Sequence, residues 1–147
     1  MLNKDYKEML QTLLKNDVKF LVVGAYAMGV YGYVRATGDF DLFVEPSKEN
    51  AKKLYNTLKE YGAPLHDINE ETFTKENVIY QIGIEPVRID VITEISGVSF
   101  KEAYASKNEI EYEGLKIPFL SKEKLIKNKK ASGRAKDLLD AEQLEKK

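Results

Sequence analysis

The sequence of 147 residues contains no cysteine and only one histidine, His66. Without cysteine, the chain can form no disulfide bond, has no catalytic thiol and cannot hold zinc or an iron–sulfur cluster through thiolates. A single histidine also disfavours a histidine-rich metal site. Any metal ion would therefore be held by carboxylates and other oxygen ligands, which favours Mg²⁺ or Mn²⁺.

Neither sign of charge dominates, and no apolar run is long. The 23 Lys and Arg residues nearly cancel the 24 Asp and Glu residues, so no overall field attracts nucleic acid or an anionic membrane. The apolar runs are far shorter than the ~20 residues that span a bilayer. Acidic residues stand near the start of the chain, where a signal peptide has a basic segment and then an apolar run. We therefore expect a cytoplasmic protein without membrane association.

Length and composition fit one domain with a substantial core. With 43% hydrophobic and 32% charged residues, residues 1–147 are predicted to form a single domain, with a core over about 18–118 and C-terminal helices over about 121–146. Strand and helix patterns alternate along the core, and one pair of strands is predicted to form a hairpin. The predicted fold class is α/β (α+β), with a mixed β-sheet, flanking helices and a C-terminal helical tail.

Hydrophobic periodicity places the individual elements. Helices are predicted over residues 4–16, 25–31, 47–61 and 99–106, and from 121 onwards with a break at 132–133. Strands are predicted over residues 18–23, 39–45, 78–84, 87–93, 110–112 and 115–118. Residues 63–77 are polar and are predicted to be irregular.

Two acids begin the strand DFDLFVE. Because side chains in a strand alternate between faces, Asp39 and Asp41 project from the same side, roughly 6.5 Å apart along the strand. Two carboxylates beside an apolar strand are costly unless a cation compensates them, since burial and repulsion both disfavour ionisation. The pattern predicts a divalent cation, and the alternative is a pair of acids that caps a turn.

A third acid, Asp90, lies between apolar residues in the strand VRIDVIT. If this strand lies beside that of Asp39 and Asp41, the three carboxylates converge and could hold two Mg²⁺ ions about 3.5 to 4 Å apart, as in-line phosphoryl chemistry requires. The alternative for Asp90 is an ion pair with Arg88 or with a lysine.

Three residues between these elements could bind phosphate. Gly24 ends a buried strand where a short helix begins, so backbone N–H groups there can face an anion. Arg35 offers a forked donor for phosphate oxygens and Thr37 offers a hydroxyl. The alternatives are a tight strand-to-helix turn at Gly24 and a loop arginine that is solvated or paired at the surface.

These features together resemble a known signature. The segment LVVGAYAMGVYGYVRATGDFDLFV resembles that of the DNA polymerase β-like nucleotidyltransferase superfamily: a strand, a Gly-Gly or Gly-Ser turn, a short helix, and a strand bearing Asp-x-Asp, with a third Asp on a later strand. The run over 35–41 and the tail IPFLSKEKLIKNKKASGRAKDLLDAEQLEK are similar to those of small bacterial nucleotidyltransferases related to abortive-infection (AbiEii-type) toxins and lincosamide-type transferases. Ala25 departs from the pattern, which has Gly or Ser there.

The resemblance implies a role for each matching residue. Asp39 and Asp41 would ligate both metal ions, and Asp90 would ligate the catalytic one and help to deprotonate the acceptor. Gly24 and Ala25 would hold the β- and γ-phosphates. The implied reaction is attack of an acceptor hydroxyl on the α-phosphorus of a nucleoside triphosphate, with release of pyrophosphate. The acceptor could be a small molecule, a protein or a tRNA end.

Two rival functions remain open from the sequence. A catalytically inactive binding partner of toxin–antitoxin type would keep the fold and associate with a cognate protein without turnover. A sugar-nucleotide glycosyltransferase also uses Asp-x-Asp with Mn²⁺, although its acids normally follow a larger nucleotide-binding half.

Basic and aromatic residues near the site also have two interpretations each. The lysines of the first tail helix either form a solvated face or border a site for triphosphate or nucleic acid; they are Lys122, Lys124, Lys127, Lys129 and Lys130. Tyr26, Tyr31 and Tyr33 either stack on a base or pack in the core.

Overall fold

The computed structural model describes residues 2–34 and 37–146, so Arg35 lies outside the described residues. The described residues form a six-stranded sheet in the order β3-β4-β2-β1-β6-β5. The strands are β1 (Phe20–Val23), β2 (Asp39–Val44), β3 (Ile79–Ile84), β4 (Val87–Ile92), β5 (Asn108–Tyr112) and β6 (Leu115–Phe119). The helices are α1 (Lys4–Lys15), α2 (Gly24–Val30), α3 (Lys48–Tyr61), α4 (Phe100–Ala105), α5 (Lys122–Ser132) and α6 (Ala135–Glu145).

The sheet contains both parallel and antiparallel pairs. Strand β2 lies between β1, to which it is antiparallel, and β4, to which it is parallel. Strands β3 and β4 form one antiparallel hairpin, and β5 and β6 form another that joins β1 through a parallel pairing with β6. The predicted mixed sheet with flanking helices and a helical tail is therefore confirmed.

Central strands and amphipathic helices build the core. All four residues of β1 are buried, as expected of a strand covered on both faces. Helix α1 begins after Asn3, whose side chain accepts hydrogen bonds from two backbone N–H groups of the first turn. Its apolar stripe is buried, and Tyr6 stacks on Phe40 of β2 with ring centroids 4.7 Å apart. Helix α1 thus covers the sheet face that carries Phe40.

Helix α3 is fixed by its caps and by one buried amide. The Ser47 side chain accepts from the backbone of Asn50, and Gly62 ends the helix in the left-handed conformation. The Asn50 side chain accepts from Lys19 N–H and donates to the Lys19 carbonyl. These bonds tie the helix to the segment that enters β1.

The predicted elements are present, with different ends in places. Strand β1 begins at Phe20, two residues later than predicted, while β5 begins at Asn108 because it pairs along the whole of β6. The polar region 63–77 contains a short 3₁₀ helix, Thr72–Thr74, which buries Phe73. No described helix combines the length and the apolar character that crossing a membrane requires.

The lysines of α5 are mostly paired with carboxylates. Lys124 and Lys127 both lie within salt-bridge distance of Glu102, and Lys130 lies 2.8 Å from Glu145. Lys129 lies at the junction of α5 and α6, where it contacts the buried acids Asp137 and Asp140, each at 3.3 Å. The basic run therefore pairs α5 with α4 and with α6 rather than forming a wholly solvated face.

Candidate active site

Strand pairing places the three predicted acids side by side. In the parallel pair β2–β4, Asp39 lies opposite Arg88 and Asp41 lies opposite Asp90. Residues directly opposite in neighbouring strands point to the same face. As a result, one carboxylate oxygen from each of Asp39, Asp41 and Asp90 lies within 4.8 Å of the other two. The sequence could only suggest that β2 and β4 are neighbours, and the structure shows that they are.

Gly24 leaves space for one of these carboxylates. It is the first residue of α2 and has φ +70°, and a Cβ atom built on it would lie 2.5 Å from Asp41 Oδ2. Any side chain would therefore clash with the carboxylate as well as strain the backbone. Ala25 follows it, partly buried in the first turn of α2. The predicted phosphate contacts of this turn stay a prediction.

Thr37 lies at the site, where its side chain is hydrogen-bonded to Asp39. Its hydroxyl donates to Asp39 Oδ1 at 2.6 Å, and the Asp39 backbone N–H approaches the same hydroxyl at 3.3 Å. Thr37 thus orients the first carboxylate of the pair, a role that the sequence analysis did not assign to it.

Arg88 is the residue that the sequence analysis underestimated. Its Nε and Nη2 atoms donate to the two oxygens of Asp90 at 2.8 and 3.1 Å, and Nη2 also lies 3.5 Å from Asp39 Oδ2. The side chain is 25% exposed, and its Nη1 lies 3.6 Å from Glu85. The ion pair considered as an alternative for Asp90 therefore exists within the acid cluster. The two-residue spacing on β4 was the signal, since it places both side chains on one face.

The local charges perturb two of the acids in opposite directions. Burial, a hydrogen bond to Asp39 and the charges of Asp39 and Asp90 raise the pKa of Asp41 to about 8. Burial alone would raise the pKa of Asp39 as well, but hydrogen bonds from Thr37 and Asp41 and the charge of Arg88 outweigh it and lower that pKa. With no metal ion bound, a proton on Asp41 and the Arg88 guanidinium therefore offset part of the negative charge of the acids.

The donor set fits a hard divalent cation. Three carboxylates on one face offer only oxygen ligands, as Mg²⁺ and Mn²⁺ prefer. The negative charge of the cluster already attracts positive charge without a metal ion: Asp41 retains a proton near neutral pH, and the Arg88 guanidinium lies 2.8 Å from Asp90. Asp39, Asp41 and Asp90 are accordingly the residues that could hold a metal ion.

An apolar cavity lies on the face of the sheet opposite the cluster and approaches it at Thr37. It has a volume of about 850 Å³, and Ala25, Tyr26 and Thr37 are among the residues that line it. The Tyr26 ring packs edge-on against Tyr6 and Phe40, with centroids 5.7 and 5.0 Å away. Burial and then the charge of Asp39 raise the pKa of the Tyr26 phenol. Tyr26 thus belongs both to the core and to the wall of the cavity.

The other two tyrosines near α2 differ from Tyr26. The Tyr31 hydroxyl donates to the Leu120 carbonyl at 2.6 Å and accepts from Asn108, so this side chain joins α2 to the end of β6. Tyr33 packs partly buried against the core. Neither residue lines the cavity.

Comparison with known proteins agrees with this architecture. A family model described as "Nucleotidyl transferase of unknown function (DUF2204)" matches residues 2–146. A crystal structure of a candidate nucleotidyltransferase from Thermotoga maritima is similar in fold, with a TM-score of 0.64 and 17% sequence identity over 99% of this chain and 94% of that chain. No curated protein sequence matches. The narrower likeness to abortive-infection and lincosamide-type transferases stays a prediction.

Proposed function

We propose, because the chain belongs to this nucleotidyl transferase family, that it transfers a nucleoside monophosphate from a nucleoside triphosphate to an acceptor hydroxyl. The observation that carries the proposal is the convergence of Asp39, Asp41 and Asp90 within 4.8 Å beside the turn at Gly24. Residues 1–147 would act as one nucleotidyltransferase domain.

The reaction balances as a displacement at phosphorus. The acceptor oxygen forms a bond to the α-phosphorus, the bond from that phosphorus to the bridging oxygen breaks, and its electron pair leaves with pyrophosphate. The hydroxyl proton passes to a carboxylate of the cluster, for which we propose Asp90. Because little covalent chemistry falls to the protein, positioning and charge neutralisation supply most of the acceleration.

Asp39, Asp41 and Asp90 would hold two Mg²⁺ or Mn²⁺ ions. Such ions, when bound, neutralise the triphosphate and stabilise the attacking and leaving oxygens. For metal binding, Asp41 would lose its proton and Arg88 would release at least one of the two cluster carboxylates that it contacts, Asp39 and Asp90. Thr37 would keep Asp39 oriented during this exchange, since its 2.6 Å hydrogen bond does not involve Arg88.

The turn before α2 would receive the triphosphate. Backbone N–H groups at Gly24 and Ala25 would face the β- and γ-phosphates, and Arg35 would add a forked donor. Ala25 supplies no hydroxyl there, so these contacts would come from the backbone alone. The released guanidinium of Arg88 would add positive charge beside the same phosphates.

Label transfer tests this proposal. The wild-type chain is incubated with Mg²⁺, each α-³²P-labelled nucleoside triphosphate and a fractionated cell extract that includes small molecules, proteins and tRNA. We expect one class of acceptor to become labelled. Asp90→Asn should retain triphosphate binding but lower transfer by at least about 10² to 10⁴, as loss of a positioned base does.

A matched control separates chemistry from charge. Glu94 is an exposed carboxylate just beyond β4, and Glu94→Gln removes one negative charge without touching the cluster. This variant should transfer label like the wild type. Full transfer by Asp90→Asn would refute the role of Asp90. Nucleotide binding by the wild type with no labelled acceptor in any fraction would contradict the transferase and favour an inactive partner protein.

A further inference from the structure

The apolar cavity is large enough for a small-molecule substrate. Its volume of about 850 Å³ lies within the range of about 300 to 1,000 Å³ that is typical of ligand sites. The floor is the face of the sheet that carries Val22, Phe40 and Phe119, and Leu10 of α1 and several residues of α2 form the walls. Asp39 and Asp41 alternate with Phe40 along β2 and therefore point to the opposite face.

Thr37 connects the cavity to the acid cluster. This residue lines the cavity and at the same time donates its hydroxyl to Asp39. Ala25, which follows the turn beside Asp41, also lines the cavity. A molecule held there therefore has one end beside the start of β2, where Asp39 lies.

The lining selects for an uncharged, apolar body. Among the described residues that line the cavity, none carries a charged side chain, and the polar side chains are hydroxyls of Tyr26, Thr37 and Tyr112. A triphosphate would lose its hydration there without gaining a cation from the part of the lining that the structure describes. A purine or pyrimidine base would place several ring and exocyclic polar atoms against apolar side chains that offer them no hydrogen-bond partner, which is unfavourable.

We propose that this cavity binds the acceptor, and that the acceptor is a small uncharged molecule with an apolar or aromatic body and a free hydroxyl. The proposal rests on the proposed nucleotidyl transfer and names its substrate class. The hydroxyl would lie at the Thr37 end, where it can reach the acid cluster, and the apolar body would cover Phe40 and Val22. A tRNA end, with its charged phosphates and polar bases, does not fit this description.

Gly29 offers a direct way to fill the cavity. It lies in α2 and lines the cavity, and a Cβ atom built on it would meet only Val34 Cγ2, at an ordinary contact distance of 3.9 Å. Gly29→Leu should therefore fold and place a branched side chain in the cavity, whereas Gly29→Ala adds a single methyl group and serves as the matched control. Ile110→Phe fills the cavity from the sheet, on β5, and provides a second test.

The experiment measures binding of 2-naphthol, a neutral aromatic compound with one hydroxyl, by calorimetric titration, with adenosine as the polar comparison. We expect saturable binding of one 2-naphthol molecule and at least tenfold weaker binding of adenosine. Gly29→Leu and Ile110→Phe should weaken 2-naphthol binding at least tenfold, and Gly29→Ala by no more than about threefold. Absence of saturable binding, tighter binding of adenosine, or undiminished binding by both filled variants would overturn the proposal.

Failure of this proposal is distinguishable from failure of the transferase. Binding in the cavity needs no metal ion, so Asp41→Asn should bind 2-naphthol like the wild type. The affinity of the wild type for Mg²⁺ and triphosphate is titrated separately. If nucleotide binds and 2-naphthol does not, the acceptor class is wrong while the transferase stands. If 2-naphthol binds and nucleotide does not, the cavity is a ligand site but not an acceptor site, which also overturns the proposal.

Discussion

Replacing Asp41 by asparagine should remove most of the pH dependence of folding stability between about pH 5 and pH 7. The folded chain holds Asp41 protonated, because its pKa is raised from 3.8 to about 8. The unfolded chain ionises the same group near its ordinary pKa. Folding at neutral pH therefore takes up about one proton at this residue.

The sign and size follow from proton linkage. Between the two pKa values the folded state binds more protons than the unfolded state, so the free energy of unfolding falls as the pH rises. For one proton the slope is about −1.4 kcal/mol per pH unit, and the wild type should lose about 3 kcal/mol between pH 5 and pH 7 from Asp41. Asparagine cannot ionise, yet its amide can donate to Asp39 as the protonated acid does. Asp41→Asn should therefore be more stable than the wild type at pH 7.

Urea denaturation of metal-free wild type and Asp41→Asn at pH 5, 6 and 7 measures this difference. The acids with lowered pKa, such as Asp39 and Glu102, are ionised in both states throughout this range, and the comparison between variants cancels what other groups contribute. The difference in the free energy of unfolding should grow steadily in favour of Asp41→Asn. Parallel pH profiles of the two proteins would refute the protonated state of Asp41.

The remaining predictions concern metal binding and the tail. Because Mn²⁺ must displace the proton of Asp41, its apparent affinity, followed by electron paramagnetic resonance of free Mn²⁺, should rise about tenfold per pH unit up to about pH 8, and Asp41→Asn should abolish the rise. Arg88→Gln removes the cation that competes for Asp90 and should tighten Mn²⁺ binding in the same assay, whereas unchanged or weaker binding would contradict that competition. Lys129→Met removes the lysine that contacts both buried acids, Asp137 and Asp140, but Asp137 keeps its hydrogen bonds from Ser132 and Arg134, so the chain should lose about 1.5 to 3 kcal/mol in urea titrations, more than removal of an exposed lysine costs.

Local patterns were enough to predict the elements and one strand of the site. Alternation along DFDLFVE places Asp39 and Asp41 on one face whatever the rest of the fold does, and the caps at Ser47 and Gly62 end α3 by local chemistry alone. The position of Asp90 between apolar residues in VRIDVIT marked it as the third acid, and the resemblance to a known signature then implied its role. Its position beside Asp41 depends on the order β4-β2-β1 in the sheet, which no short stretch of sequence determines.

Features created by long-range pairing escaped prediction. Arg88 contacts Asp39 because β2 and β4 pair in a particular parallel register. A shift by one residue would move Arg88 to the other face of the sheet. The cavity needs α1, α2 and the β5–β6 hairpin together, and Lys129 meets its acids only because the chain turns back at Gly133. Each of these contacts joins segments whose own composition says nothing about the partner.

The electrostatics of the cluster argue against a purely structural role. Three carboxylates, a guanidinium and a retained proton on one sheet face cost free energy, since a well-packed apolar set of similar volume is often at least as stable as buried ions. The neighbouring residues do not reduce that cost by separating the acids. Gly24 has no side chain that would displace the Asp41 carboxylate from the other two acids, and Thr37 holds Asp39 with a 2.6 Å hydrogen bond. An arrangement that keeps the acids together at the expense of stability is best explained by a cationic ligand, which would neutralise them.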